Sequence, residues 1–345
     1  MAHVLLALFG ISLLMIVHEA GHYLMARATG MRVVTFSIGF GPALVRYRPK
    51  GSPTTFKVCL VPLLAYVRVA GATPLEENDP ADTSLYEKKG VVARALMVVG
   101  GPAANYVFAS LLIFGLALWG WREAALTSPM VLGSVESGSP AEAAGLRPGD
   151  AVVEVDGAPV HDAREMSERT AARAGMPTTY LVLRDAKPMA LTIVPREVRG
   201  GRGVIGVTAR HEVRTRRLSV AEAATLAVAL PWKITAQNLK GMADLAKQRT
   251  TQGMTGPVGM AKEVATQAEK GAYAYLQILV VLSVAIGCFN LLPFPFLDGG
   301  RLLFLGYELL AGRRADQKLE AIVHAAGMLL LLGMAALVTW RDIMG

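Results

Sequence analysis

Leu14-Met15-Ile16-Val17-His18-Glu19-Ala20-Gly21-His22-Tyr23-Leu24-Met25 sets three ionisable side chains inside a run, Val4 to Ala26, that is otherwise almost wholly apolar. Such groups are expensive within a membrane-crossing helix, and their presence there points to function. Residues four apart share one helix face, so His18 and His22 can grip one metal ion, with Glu19 beside the first. Two histidines at this spacing and a Glu as general base make the zinc-peptidase arrangement. The alternative is three polar residues hydrogen-bonded inside a helical bundle.

The rest of the chain supports a membrane setting. Of 345 residues, 53% are hydrophobic and only 18% charged, with a mean hydropathy of +0.40. An ordinary soluble domain is about 45–50% apolar and about 25% charged. The excess excludes a disordered, collagen-like or disulfide-stapled chain, and it lies in blocks. Ala95 to Trp121, Gly271 to Leu297 and Ala321 to Trp340 contain no Asp, Glu, Lys or Arg. A spanning helix needs about 20 mostly apolar residues. Four spans are therefore expected, with cores near 4–26, 95–119, 273–293 and 321–340. The first lacks a basic leader and a small-residue cleavage site, which favours a retained helix over a signal peptide.

Basic residues orient the spans. Arg27, Arg32, Arg46, Arg48, Lys50, Lys57 and Arg68 follow the first, and Lys88, Lys89 and Arg94 border the second. Arg313, Arg314 and Lys318 lie between the last two. Short basic loops stay cytoplasmic, so both termini and the long soluble insert are expected outside. Arg199, Arg202, Arg210, Arg214, Arg216 and Arg217 in the insert do not overturn this, because long translocated domains largely escape the rule. The net charge of +8 is explained by topology and anionic lipid headgroups. No nucleic-acid motif is present, and no nucleic-acid partner is expected.

A catalytic zinc takes three protein ligands and keeps a place for water. His3, His161 and His211 fall far from the motif, and His324 is a possible third ligand. Asp298 is favoured. It closes Asn290-Leu-Leu-Pro293-Phe-Pro295-Phe-Leu297-Asp298-Gly299-Gly300 at the end of the third span. Arg27 lies about 8–14 Å beyond His22 and His18 at 1.5 Å per residue, and Arg301 follows Asp298 directly. Both sites then sit a short way in from the cytoplasmic face. The prolines and glycines around Asp298 break the helix, which membrane depth tolerates only beside protein or a watery cavity.

These motifs resemble the site-2 protease family, intramembrane zinc metalloproteases of the bacterial regulator-of-sigma-factor type. The matching pieces are His18-Glu19-x-x-His22, Gly101-Pro102-Ala103-Ala104-Asn105, Gly256-Pro257-Val258-Gly259 and Asn290-x-x-Pro293-x-Pro295-x-Leu297-Asp298-Gly299, over nearly the whole chain. The resemblance implies a Zn2+ cofactor held by His18, His22 and Asp298, with Glu19 as catalytic base. It also implies Asn290, Asn105, Pro293 and Tyr66 as substrate-binding positions. Asn105 could instead join helices and Asn290 cap the broken one.

Val33–Phe40, Val45–Tyr47, Phe56–Leu60 and Tyr66–Val69 alternate with turns and read as a small sheet against the membrane. In the family a similar region offers an edge strand to an unwound substrate, a known way to bind extended peptide. The family's Pro-Leu-Gly-Gly-Tyr is Pro62-Leu63-Leu64-Ala65-Tyr66 here. In the insert, Ser139-Pro-Ala-Glu-Ala-Ala-Gly145-Leu-Arg-Pro-Gly149-Asp150, followed by Asp156-Gly157, resembles a PDZ domain that binds peptide or excludes bulky ectodomains. Ser219-Val-Ala-Glu222 is a capping box opening an amphipathic helix to about Lys247, interrupted at Pro231-Trp232. That helix could lie in the outer interface or pack on the PDZ module. Cys59 and Cys288 imply no pairing.

The expected fold is a polytopic α-helical membrane protein with a membrane-associated β region and one inserted extracytoplasmic PDZ-like α/β domain. Its parts are helix 1 with the histidine motif (1–30), the β region (31–75), helix 2 (90–121), the PDZ-like domain (128–198), a linker with the amphipathic helix (199–270), helix 3 ending in Leu-Asp-Gly (271–297) and helix 4 (320–341). The expected function is zinc-dependent cleavage of transmembrane segments in regulated intramembrane proteolysis at the cell inner membrane. By the resemblance, substrates are single-pass membrane proteins such as anti-sigma factors, or remnant signal peptides. Other readings are a catalytically silent membrane PDZ scaffold and a transporter using Glu19 and Asp298 for protons; no inverted repeat favours the latter.

Overall fold

A computed structural model describes residues 1–72, 79, 81–126, 129–198, 201–248 and 256–344. Arg199, the last residues of the expected β region (73–75) and the first of the expected PDZ-like domain (128) lie outside the described residues. In chain order the elements are α1 (Ala2–Ala28), β1 (Val33–Tyr47), β2 (Thr55–Val69), α2 (Val91–Gly120), β3 (Trp121–Leu126), β4 (Met130–Val135), α3 (Pro140–Ala143), β5 (Ala151–Val155), β6 (Ala158–Pro159), α4 (Ala163–Ala171), β7 (Thr178–Arg184) and β8 (Lys187–Ile193). Then come β9 (Arg196–Val198), β10 (Arg202–Val204), β11 (Val207–Ala209), β12 (His211–Arg216), α5 (Val220–Gln248), α6 (Pro257–Glu269), α7 (Ala272–Asn290), α8 (Asp298–Ala311) and α9 (Gln317–Met344). The chain forms two units, residues 1–119 with 218–345, and residues 120–217.

In the first unit α1, α2, α7 and Lys318–Trp340 of α9 are long and apolar enough to cross a membrane. Large apolar side chains stay exposed on them, among them Phe9, Leu24, Leu111, Leu329, Leu332 and Leu337. A helix apolar on its outer face needs hydrocarbon around it. Helices here meet through bare backbone, as expected where lipid removes the hydrophobic drive between them. A methyl placed on Gly21 would come within 2.1 Å of the Gly100 carbonyl oxygen, and one on Gly287 within 2.9 Å of the Tyr106 ring.

β1 and β2 pair antiparallel but both bend, giving a shifting register. Thr35 to Ile38 lie beside Thr55 to Val58 on one side and beside Arg68 to Ala65 on the other. Gly39 (φ +84°) and Gly41 (φ +90°) adopt the left-handed backbone that lets β1 turn. Tyr23 of α1 packs edge-on against Phe36 and Phe56, with ring centres 5.7 Å apart in each pair. This anchors the sheet to the helix that carries the motif.

Two expectations are corrected. The third span does not run to Leu-Asp-Gly: α7 stops at Asn290, and Asp298 opens a separate helix, α8. Helix and loop signals overlap there, because Pro293 and Pro295 end one helix while Asp298 suits the first turn of the next. Pro231 does not interrupt α5, which continues through it. Trp232 stacks on Tyr106 of α2 at 5.2 Å, and the Tyr106 hydroxyl and Thr235 Oγ1 share a 2.6 Å hydrogen bond. These tertiary contacts hold the helix across the proline. α5 packs against α7 and α2 within the first unit. Its N-terminus is a reciprocal capping box, with Ser219 Oγ accepting from the Glu222 N–H and Glu222 Oε2 accepting from the Ser219 N–H.

The second unit is a sheet in the order β11-β4-β5-β7-β8, with β6 on β5. Met130, Leu132, Val152, Tyr180, Val182 and Ile193 form its core under α3 and α4. Asp156 and Gly157 both take positive φ, forming the turn that the Asp-Gly pair predicts. Asp150, almost fully buried, accepts from Arg184 Nε and Nη2 at 2.7 Å and from the Arg147 N–H at 2.9 Å. The Arg184 hydrogen bonds hold its carboxyl below the usual Asp range. That contribution is therefore present above pH about 4 and fades as pH falls through the lowered value. Asp150→Asn should cost on the order of 3 kcal/mol near pH 7, read as a lower urea midpoint for this unit in the full chain. The deficit should shrink in acid; a deficit independent of pH would contradict the ion-pair account.

Candidate metal centre

The motif of α1 meets the start of α8 at one point. His18 Nε2 and His22 Nε2 lie 3.2 Å apart. Asp298 Oδ2 is 3.2 Å from the first and 3.3 Å from the second. Each histidine is less than a tenth exposed. Tetrahedral zinc with bonds of about 2.0–2.1 Å separates its ligand atoms by about 3.3–3.4 Å, so the triangle has the size that ion requires. Its chemistry fits too. His22 Nδ1 donates to the Met97 carbonyl at 2.9 Å, which leaves a lone pair on Nε2. Asp298 Oδ2 is buried and has no hydrogen-bond donor among the described residues. Two ring nitrogens and a carboxylate oxygen converging on one buried point suit a cation. Glu19 is half-buried, and its carboxylate lies within 4.8 Å of the two histidine ligand atoms. The Val67 N–H of β2 is directed at that carboxylate.

Local sequence explains how each group arrives. The helix repeat stacks His18 and His22 on one face of α1. Gly101 lets α2 press against both rings, because a methyl there would lie 2.4 Å from His22 Nε2 and 2.9 Å from His18 Cε1. The segment 291–297 folds back over α8. A methyl on Gly299 would come within 2.0 Å of the Leu292 carbonyl oxygen, and one on Gly300 within 2.5 Å of that of Phe294. Only the two glycines allow this approach, and it sets Asp298 in place. Phe296 has φ +77°, a strained value for a bulky residue. Its N–H donates to His324 Nδ1 of α9 at 2.9 Å, and a methyl on Gly327 would lie 2.4 Å from Pro295. His324, the other candidate ligand, therefore anchors this loop and stands apart from the triangle.

The substrate-binding candidates are not gathered in one place. Tyr66 neighbours Val67 on β2 and packs on Phe40 at 5.3 Å between ring centres. Pro293 lines a cavity of about 600 Å³ with Pro295, Leu303, Phe304 and Tyr307. Asn290 ends α7 and donates through Nδ2 to the Ile286 carbonyl at 2.9 Å, the capping role. Asn105 is fully buried in α2. The Met97 carbonyl, the Val67 N–H and the His324 anchor were not foreseen. Backbone groups leave no mark in a residue string; His324, a lone histidine in an apolar span, did.

Comparison with known proteins follows the same outline. Residues 6–334 match the model of Peptidase family M50. Metalloprotease MmpA of Caulobacter vibrioides is 32% identical over 97% of this chain and 94% of its own length. A protein of Mesorhizobium japonicum with a provisional zinc metalloprotease name is 32% identical over 98% of this chain and 97% of its own. A solved PDZ domain of an SdrC-like protein from Listeria monocytogenes covers 25% of this chain and 93% of that one, at 20% identity and a TM-score of 0.22. Matched from before its histidine pair to within its last helix, and by relatives aligned almost end to end, this chain belongs to peptidase family M50.

Proposed function

We propose that this chain is a zinc-dependent endopeptidase that cuts peptide bonds within membrane-embedded segments of other proteins. The observation that carries the reading is the triangle of His18, His22 and Asp298, with Glu19 beside it, on helices that are apolar enough to lie in a bilayer. His18, His22 and Asp298 would hold the zinc, which supplies a Lewis acid that polarises a carbonyl and acidifies water. Glu19 takes the proton of the attacking water and returns it to the departing amine. The Val67 N–H steadies the Glu19 carboxylate.

An intact helix hides its amides, so the substrate must be unwound at the cut. The Ala65–Val69 run of β2 offers an edge for strand addition, with Tyr66 beside the site. Asn290 and Pro293 are read as further substrate-binding positions. Substrates of this kind are single-pass membrane proteins, anti-sigma factors or remnant signal peptides among them, processed in regulated intramembrane proteolysis. The second unit is read as a PDZ-like module that screens them by binding peptide or by excluding bulky ectodomains. The distribution of Arg and Lys supports an inner-membrane protein with both termini and this module extracytoplasmic and the metal centre toward the cytoplasmic side.

Glu19→Gln should lower cleavage of a single-pass model substrate by at least about 10²-fold while metal analysis still finds one zinc per chain. Retained cleavage would sink the mechanism. His22→Ala and Asp298→Ala should lose the zinc itself. A chelator should silence the wild type, and added zinc should restore it; zinc retained in both ligand variants would refute the ligand set.

A further inference from the structure

The two histidines are not held alike. His22 has its Nδ1–H on the Met97 carbonyl. His18 Nδ1 is buried and has no partner among the described residues. A metal-binding histidine almost always gives its outer ring N–H to a carboxylate, a carbonyl or a water, which fixes the tautomer and the ring plane.

Asn105 shows the complementary want. It is fully buried, and neither Oδ1 nor Nδ2 has a partner among the described residues. It is not used to join helices: Ser283 Oγ of α7 donates to the Asn105 main-chain carbonyl at 2.9 Å and leaves the amide unspent. Helix geometry sets Asn105 on the face of α2 that Gly101 turns to His18. A methyl on Gly101 would lie 2.9 Å from His18 Cε1, the ring carbon between the two nitrogens. Asn105 is one helical turn beyond Gly101, where neighbouring Cβ positions are about 5–6 Å apart. Helical side chains lean toward the N-terminus, over the preceding turn. The Asn105 amide therefore leans over the bare Gly101, on the side where the His18 ring lies.

We propose that Asn105 is the outer-sphere positioning partner of His18. Its amide oxygen receives the Nδ1–H through one ordered water, which turns the Nε2 lone pair toward the metal. This rests on the zinc reading above and departs from a role for Asn105 in touching substrate. Gly101 and Asn105 then act as one device, the first making room and the second using it.

The test uses the full-length protein in detergent, with zinc affinity measured by competition against a chromophoric chelator and unfolding followed on the metal-free form. Asn105→Leu, of nearly equal size but without hydrogen bonds, should weaken zinc binding about 10–100-fold without lowering the metal-free unfolding midpoint. Asn105→Asp keeps an acceptor oxygen and should stay within a few-fold of wild type. Asn105→Ala should repeat the loss if the leucine variant does not fold. Wild-type affinity in both apolar variants would overturn the proposal. So would a lower metal-free midpoint with unchanged affinity, the mark of a packing role, or a raised KM with unchanged affinity, the mark of substrate contact. Wild-type protein that binds no zinc, or His18→Ala that binds it as tightly as wild type, would overturn the metal centre itself and be told apart on that ground.

Discussion

Two imidazoles and a carboxylate pressed to within hydrogen-bond distance of one another, inside helices with apolar flanks, are the arrangement on which the rest of this molecule turns. Each such group costs several kcal/mol to strip of water unless something in the protein replaces the lost solvation. Here the two Nε2 atoms and Asp298 Oδ2 face one point, and the lone pair on His22 Nε2 is kept free by the bond from its other nitrogen to Met97. A divalent cation held there, as proposed above, would offset the burial of all three. The same centre joins α1 to α8, so desolvation and architecture are a single problem with a single solution.

That solution needs helix axes and loops closer together than ordinary side chains permit. Gly21 and Gly101 remove the bulk between α1 and α2, and Gly299 and Gly300 remove it between the 291–297 loop and α8. Gly327 does the same for Pro295 against α9. Each contact sets backbone against backbone or backbone against a ligand ring. Two polar groups are satisfied at short range: the Met97 carbonyl by His22, and the Phe296 N–H by His324.

The apolar blocks and the His18-Glu19-x-x-His22 spacing were legible because each follows from a period or a length: four residues to a helix face, about twenty to a bilayer. Asp298 was legible from depth and from the breakers around it. What escaped was structure that depends on partners. α8 was read as the end of a span and a basic loop, since its apolar residues are too few to cross a bilayer and its start coincides with another helix's stop signals. Pro231 reads as a break in sequence because the contacts that carry α5 across it, with α2, lie far away along the chain. The local signal of the capping box at Ser219, by contrast, carried through to its hydrogen bonds.

The triangle also has a history in time. His18 and His22 lie near the start of the chain, and Asp298 comes after most of it. At about 5–20 residues per second, a ribosome makes the two histidines on the order of tens of seconds before the carboxylate that completes them. Through that interval the nascent chain carries His18, Glu19 and His22 but not Asp298. The order of residues along the chain thus fixes the order of assembly: the triangle closes only once α8 has been made.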